Sequence, residues 1–162
     1  MGHFYRKNIR MQGYDYSQNG AYFITICVAN RQSILWADIN SLRDNLNDPP
    51  QLSKAGSVVN SAIQNIPVYY PNVSVEKYAI MPNHIHMILL LTEKSGSALR
   101  SPTVSTIINQ MKGFVTKQVG YPIWQTSFFD RIIRNDEEYR MVWDYIDTNP
   151  INWQDDAQYG ST

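Results

Sequence analysis

With 162 residues, 43% of them hydrophobic, the chain is long enough to bury a core and reads as one globular domain over residues 1–162. Its 14 basic residues are balanced by 14 acidic ones, so the molecule as a whole carries no field that would draw a polyanion, which counts against nucleic acid as a partner. The single cysteine, Cys27, excludes an internal disulfide framework, and no window approaches the roughly 20 apolar residues of a bilayer span, so a soluble protein of the reducing cytoplasm is expected.

Met1 to Arg10 lead into no apolar stretch of signal-peptide length. Tyr22 to Ala29 (Y-F-I-T-I-C-V-A) is rich in β-branched and aromatic residues, follows Asn19-Gly20 and stops at Asn30-Arg31, which predicts a first strand, apolar on both faces. Within it Cys27 reads as a buried small hydrophobe. Asn47 to Pro50 (N-D-P-P) is the most linker-like spot and reads as a surface loop. From Ser53 to Ile66 the apolar positions Val58, Val59, Ala62, Ile63 and Ile66 recur at helical spacing, with Ser53 as cap and Pro67 as stop. Val73 to Ala79 and Met87 to Leu91 are the next strands. Met81-Pro82-Asn83 breaks them, and His84 to His86 opens the second, whose apolar run has no polar face and belongs at the centre of a sheet. After the polar, serine-rich Glu93–Pro102, the residues Val104, Ile107, Ile108, Met111, Phe114 and Val115 predict a second long helix, closed by Gly120 to Pro122. A short strand over Phe128–Ile133 and a last helix from about Asn135 to Asp147 complete the order. The expected architecture is α+β: a ferredoxin-like (RRM-like), mostly antiparallel sheet with helices packed on one face.

Two of the three histidines, His84 and His86, stand two apart at the head of a strand, where period-two geometry puts both imidazoles on one face. Such a pair is half of a metal clamp, or two buried histidines satisfied by backbone carbonyls. In the last helix Asn135, followed by Asp136, Glu137 and Glu138, has the form of a capping box with acids at the positive end of the helix dipole. Tyr139, Val142, Trp143 and Ile146 define the face expected against the core. Tyr145 lies roughly 120° from the centre of that stripe, close to the line of Glu138 and Asn149. It reads as an amphipathic surface tyrosine or as a nucleophile. Asn149, before Pro150, reads as a helix terminator or as a third metal ligand. Taken together, these residues supply the parts of a phosphodiester-cleaving site, since a phenol needs a base or a nearby cation to become a competent nucleophile.

The blocks M-P-N-H-I-H-M-I-L-L-L, W-Q-T-S-F-F-D-R-I-I-R-N and E-Y-R-M-V-W-D-Y-I-D-T-N-P resemble those of single-tyrosine HUH transposases, in particular the REP-associated tyrosine transposase branch, in order and spacing. G-Y-D-Y-S-Q-N-G-A-Y-F-I-T-I-C and M-K-G-F-V-T-K extend the likeness from about Gly13 to Trp153. The resemblance implies a ferredoxin-like core acting on single-stranded DNA folded into hairpins, with Mg²⁺ or Mn²⁺ as the metal. It carries His84 and His86 over as metal ligands and Tyr145 as the nucleophile that becomes linked to a 5′ phosphate. Asn149 stands where relatives place a polar third ligand, often Gln. Two imidazoles tilt the physical argument towards Mn²⁺ or a softer ion. Lys112, Lys117, Arg131 and Arg134 are candidates for DNA contact or a solvated face, and the two arginines, in a matching block near Tyr145, are the better candidates for phosphate neutralisation. A domesticated, non-catalytic binder of hairpin repeats is the alternative reading. Monomer or homodimer is left open.

Overall fold

The two longest apolar runs, β1 (Gly20–Cys27) and β3 (His84–Leu91), take the two central places of a four-stranded antiparallel sheet, where both faces of a strand are covered. β2 (Val73–Ile80) and β4 (Phe129–Ile133) form the edges, in the order β2-β3-β1-β4. The computed structural model describes residues 20–38, 50–92 and 103–153. The linker-like residues Asn47 to Pro49, the segment Glu93–Pro102 and the part of the first motif before Gly20 lie outside the described residues.

The helices are α1 (Lys54–Gln64), α2 (Ile66–Tyr69), α3 (Val104–Val119) and α4 (Asp136–Thr148). Each long helix starts where a side-chain oxygen takes up an otherwise orphaned backbone N–H. Ser53 accepts from Gly56 at 3.0 Å, Thr103 from Thr106 at 3.1 Å and Asn135 from Glu138 at 2.9 Å. Gly120, at φ 99°, ends α3 in the left-handed conformation that costs glycine least. Pro67 does not stop the first helix as expected. The break comes at Asn65, and Pro67 sits in the first turn of the short α2, where a missing N–H is no loss.

The β1–α1–β2 and β3–α3–β4 crossovers each join strands separated by one antiparallel neighbour, and this is the expected ferredoxin-like α+β arrangement. Helices α1, α2 and α3 share one face of the sheet. There Ile24, Ile26, Ile85, Met87 and Leu89 meet Val59, Ile63, Ile107, Ile108 and Met111. The helix beyond the two crossovers, α4, covers part of the other face, where Ala21, Phe23, Ile88 and Ile133 meet Val142 and Ile146. A second cover is required because β1 and β3 are apolar on both sides. The histidines lie on this α4 side, since strand alternation sets His84 and His86 with Ile88 rather than with Ile85 and Met87.

Candidate active site

The pairing register of β1 and β3 assembles the floor of the site. Thr25 stands opposite His86, Cys27 opposite His84 and Phe23 opposite Ile88, all on the face towards α4. Cys27 is half-buried rather than fully buried as expected, because it sits at the strand end beside His84. Both histidines are buried, and their Nε2 atoms face one another at 3.1 Å. Each outer nitrogen has its own partner. Nδ1 of His84 lies 2.7 Å from Oδ1 of Asn83, and Nδ1 of His86 lies 2.9 Å from the Thr25 hydroxyl. Trp153 packs against His84 with ring centroids 6.1 Å apart, and Trp36, 6.2 Å behind it, is anchored by donating from Nε1 to the Ile80 carbonyl at 2.6 Å.

Tyr145 reaches this floor from α4. Its ring centroid is 5.3 Å from that of His86 and 6.1 Å, edge-on, from that of Phe23. The fully buried line of α4 runs through Glu138, Val142, Ile146 and Asn149, whereas Tyr139 and Trp143 are only half-buried. The helix is therefore turned about 50° towards Tyr145 from the face that its hydrophobic spacing suggested. The turn has a cause. Tyr139 and Trp143 cover the β2 edge, where the Tyr139 hydroxyl bonds Glu76 at 3.3 Å and Lys77 lies 4.9 Å from the Trp143 ring while pairing with Asp147. Glu138 closes the helix start by accepting from the Arg134 backbone N–H at 2.8 Å. Asn149 caps the helix one turn beyond Tyr145, buried to 3% exposure.

The basic candidates separate. Arg131 is paired with Phe23 across β4 and β1, so it faces the site, with its guanidinium carbon 5.7 Å from the Phe23 ring. Arg134 is exposed just before α4. Lys112 and Lys117 are on α3, across the sheet from the histidines, and the Lys112 ammonium donates to the Gln125 carbonyl at 2.8 Å. Desolvation by burial pushes the Lys112 pKa down, which disfavours its cationic form. A cleft lined by Asn65, Tyr69, Tyr70, Gln110, Met111 and Phe114 also opens on that far face. Asn83, Thr25, Trp36 and Trp153 are the site residues that sequence reasoning missed. Asn83 carried a signal, standing directly before the histidine pair, but Thr25 becomes visible only once the register is known.

The donor set suits a cation. Two nitrogens held about 2.1 Å from one ion at a right angle stand about 3 Å apart, close to the observed 3.1 Å, and outer nitrogens tied to oxygen partners are the usual accompaniment of metal-binding imidazoles. Among the described residues no group of three His, Cys, Asp or Glu side chains could hold a metal.

No protein-family model matches the chain. An uncharacterised Haemophilus influenzae protein is 30% identical over 175 aligned residues, spanning 96% of this chain and 93% of the relative. The REP-associated tyrosine transposase of Escherichia coli K12 is 26% identical over 137 aligned residues, 84% of this chain and 69% of the relative. Among solved structures, a REP-associated tyrosine transposase bound to a REP hairpin has the same fold, with a TM-score of 0.59 at 24% identity over 94% of this chain and 74% of that one. A ferredoxin-like sheet that sets a histidine pair beneath a helix-borne tyrosine, in a chain with such relatives, defines a protein of the transposase class. Within that class, the chain resembles the REP-associated tyrosine transposases in sequence and shares the fold of one of them. No helix among the described residues is long and apolar enough to cross a membrane.

Proposed function

We propose that this protein cleaves and rejoins single-stranded hairpin DNA through a 5′-phosphotyrosine at Tyr145. The observation that carries the reading is the placement of the Tyr145 ring 5.3 Å from His86, whose Nε2 faces that of His84. The solved neighbour bound to a REP hairpin supports hairpin DNA as the substrate class.

The Tyr145 oxygen attacks the phosphorus, the bond to the 3′ oxygen breaks, and that oxygen leaves as a hydroxyl after taking up a proton. The phosphotyrosine keeps the energy of the broken bond, so attack by another 3′ hydroxyl rejoins a strand without ATP. Phe23 holds the phenol edge-on, and Arg131, on the same face, neutralises the phosphate. His84 and His86, with Asn149 as a third ligand, would hold Mg²⁺ or Mn²⁺. When bound, such a cation supplies polarisation of the phosphate and favours the phenolate.

The test is a denaturing gel after incubation with Mn²⁺ or Mg²⁺ and single-stranded hairpins. A covalent protein–DNA adduct is expected, absent with Tyr145→Phe and with chelator. Hairpin binding without an adduct would overturn catalysis in favour of a binding role, and failure to bind would overturn the substrate class.

A further inference from the structure

The two Nε2 atoms of His84 and His86 share 3.1 Å, and two neutral imidazole nitrogens at that distance hold one proton between them, one donating and the other accepting. The outer nitrogens decide which. Asn83, buried to 1% exposure, donates from Nδ2 to the Arg31 carbonyl at 3.4 Å. A carbonyl only accepts, so the other end of the amide, Oδ1, is the one turned to His84. Arg31 and Asn30 present that carbonyl from a left-handed turn, with φ 52° and 56°. Since Oδ1 also only accepts, His84 carries its proton on Nδ1 and offers a bare Nε2. It follows that His86 in the metal-free protein carries its proton on Nε2, donating to His84, while its Nδ1 accepts from the Thr25 hydroxyl at 2.9 Å.

A cation between the two Nε2 atoms needs both of them bare. His84 meets that condition already, but in His86 the proton has to leave Nε2 and reappear on Nδ1. The partner of Nδ1 must then change from donor to acceptor. A hydroxyl does so by rotating, because it has one O–H and two lone pairs, whereas a carbonyl or carboxylate would lock the proton on Nδ1 from the start. We propose that Thr25 is the tautomer switch of this site and Asn83 its fixed counterpart, so that His84 is preset for a cation and His86 is converted when one arrives. Both are positioning residues acting through the imidazoles. The inference rests on the metal reading of the histidine pair, and its first half is measurable with no metal present.

Long-range ¹H–¹⁵N spectra of the whole chain at about pH 8.5, where an ordinary imidazole is neutral, read which nitrogen carries the proton. Without metal, His84 is expected as Nδ1–H and His86 as Nε2–H; with the diamagnetic Zn²⁺, both as Nδ1–H. His86 already protonated on Nδ1 without metal, or His84 protonated on Nε2, overturns the proposal. Thr25→Val, close in shape, is expected to hold His86 as Nε2–H and to weaken Mn²⁺ binding in calorimetry about 10- to 100-fold, while Thr25→Ser restores both. Equal Mn²⁺ affinity in Thr25→Val and the native protein would also overturn it. If the native protein binds neither Zn²⁺ nor Mn²⁺, the clamp and the switch fall together. Metal binding with the expected tautomers but no DNA adduct would count against the strand-transfer reading alone.

Discussion

At the scale of single residues, Tyr145 and Arg131 differ in what their removal exposes. Tyr145→Phe keeps the ring against Phe23 and His86 and deletes only the hydroxyl, so thermal stability is expected to change by less than about 0.5 kcal/mol. Strand cleavage is expected to fall by about 10³-fold or more, as for loss of a nucleophile. A melting curve beside the adduct gel checks both, and a large loss of stability would mean that the hydroxyl serves the fold instead. Arg131→Ala removes one cation from the site face of a molecule with no net charge to spare. Binding to single-stranded DNA should weaken and its salt dependence should shallow by about 0.7 in the log–log slope. Lys117→Ala, across the sheet, should leave that slope unchanged. The histidine pair was readable from sequence because strand alternation alone puts His84 and His86 on one face. Thr25 was not, since its place opposite His86 depends on a pairing register between segments 61 residues apart.

At the scale of elements, the start of α4 is fixed by Asn135, whose side chain accepts from Glu138, and by Glu138, which reaches back to the Arg134 N–H. Asn135→Ala is expected to cost about 1 kcal/mol, read as a fall in Tm of a few degrees, and to reduce cleavage as well, because Tyr145 depends on the seat of this helix. An unchanged Tm would show that α4 is held by packing alone. In α1, Gly56 lies against the chain before Trp36, and an added Cβ would collide with the Leu35 carbonyl oxygen, a backbone atom that cannot swing away. Gly56→Ala should therefore destabilise by about 1–3 kcal/mol despite alanine's better helix propensity, and denaturant unfolding tests the sign. Hydrophobic spacing located α4 and its cap but turned it the wrong way. Amphipathic reading assumes that polar residues face water, and here the buried line includes Glu138, which turns back to the Arg134 N–H, and Asn149, which caps the helix end.

At the scale of the whole molecule, one sheet separates two cores of unequal support. The face under α1, α2 and α3 is closed by three helices, and the face bearing the histidines is covered by α4 through Val142 and Ile146, with the Trp36–Trp153 pair, outside that helix, completing the cluster. That second cover was foreshadowed by the apolar run of β3, which has no polar side to give to water, but which helix supplied it was not readable without the topology. The clasp at the β2 edge adds little, since the Lys77–Asp147 pair is exposed on the aspartate side and such pairs contribute at most about 1 kcal/mol. Ile146 is thus the principal apolar anchor beside Tyr145, fully buried and one residue away. Ile146→Ala should cost about 2–5 kcal/mol, and the cost should fall unevenly. In hydrogen exchange the amides of α4 are expected to lose protection first, through local opening, while those of α3 and β3 keep the protection set by the larger core. Cleavage should drop with α4 protection even where the rest stays folded, because the phenol is then no longer held over the histidines. If Ile146→Ala lowered protection of α3 and α4 equally, the two cores would be one cooperative unit, and α4 would owe its position to the entire fold rather than to the face it covers.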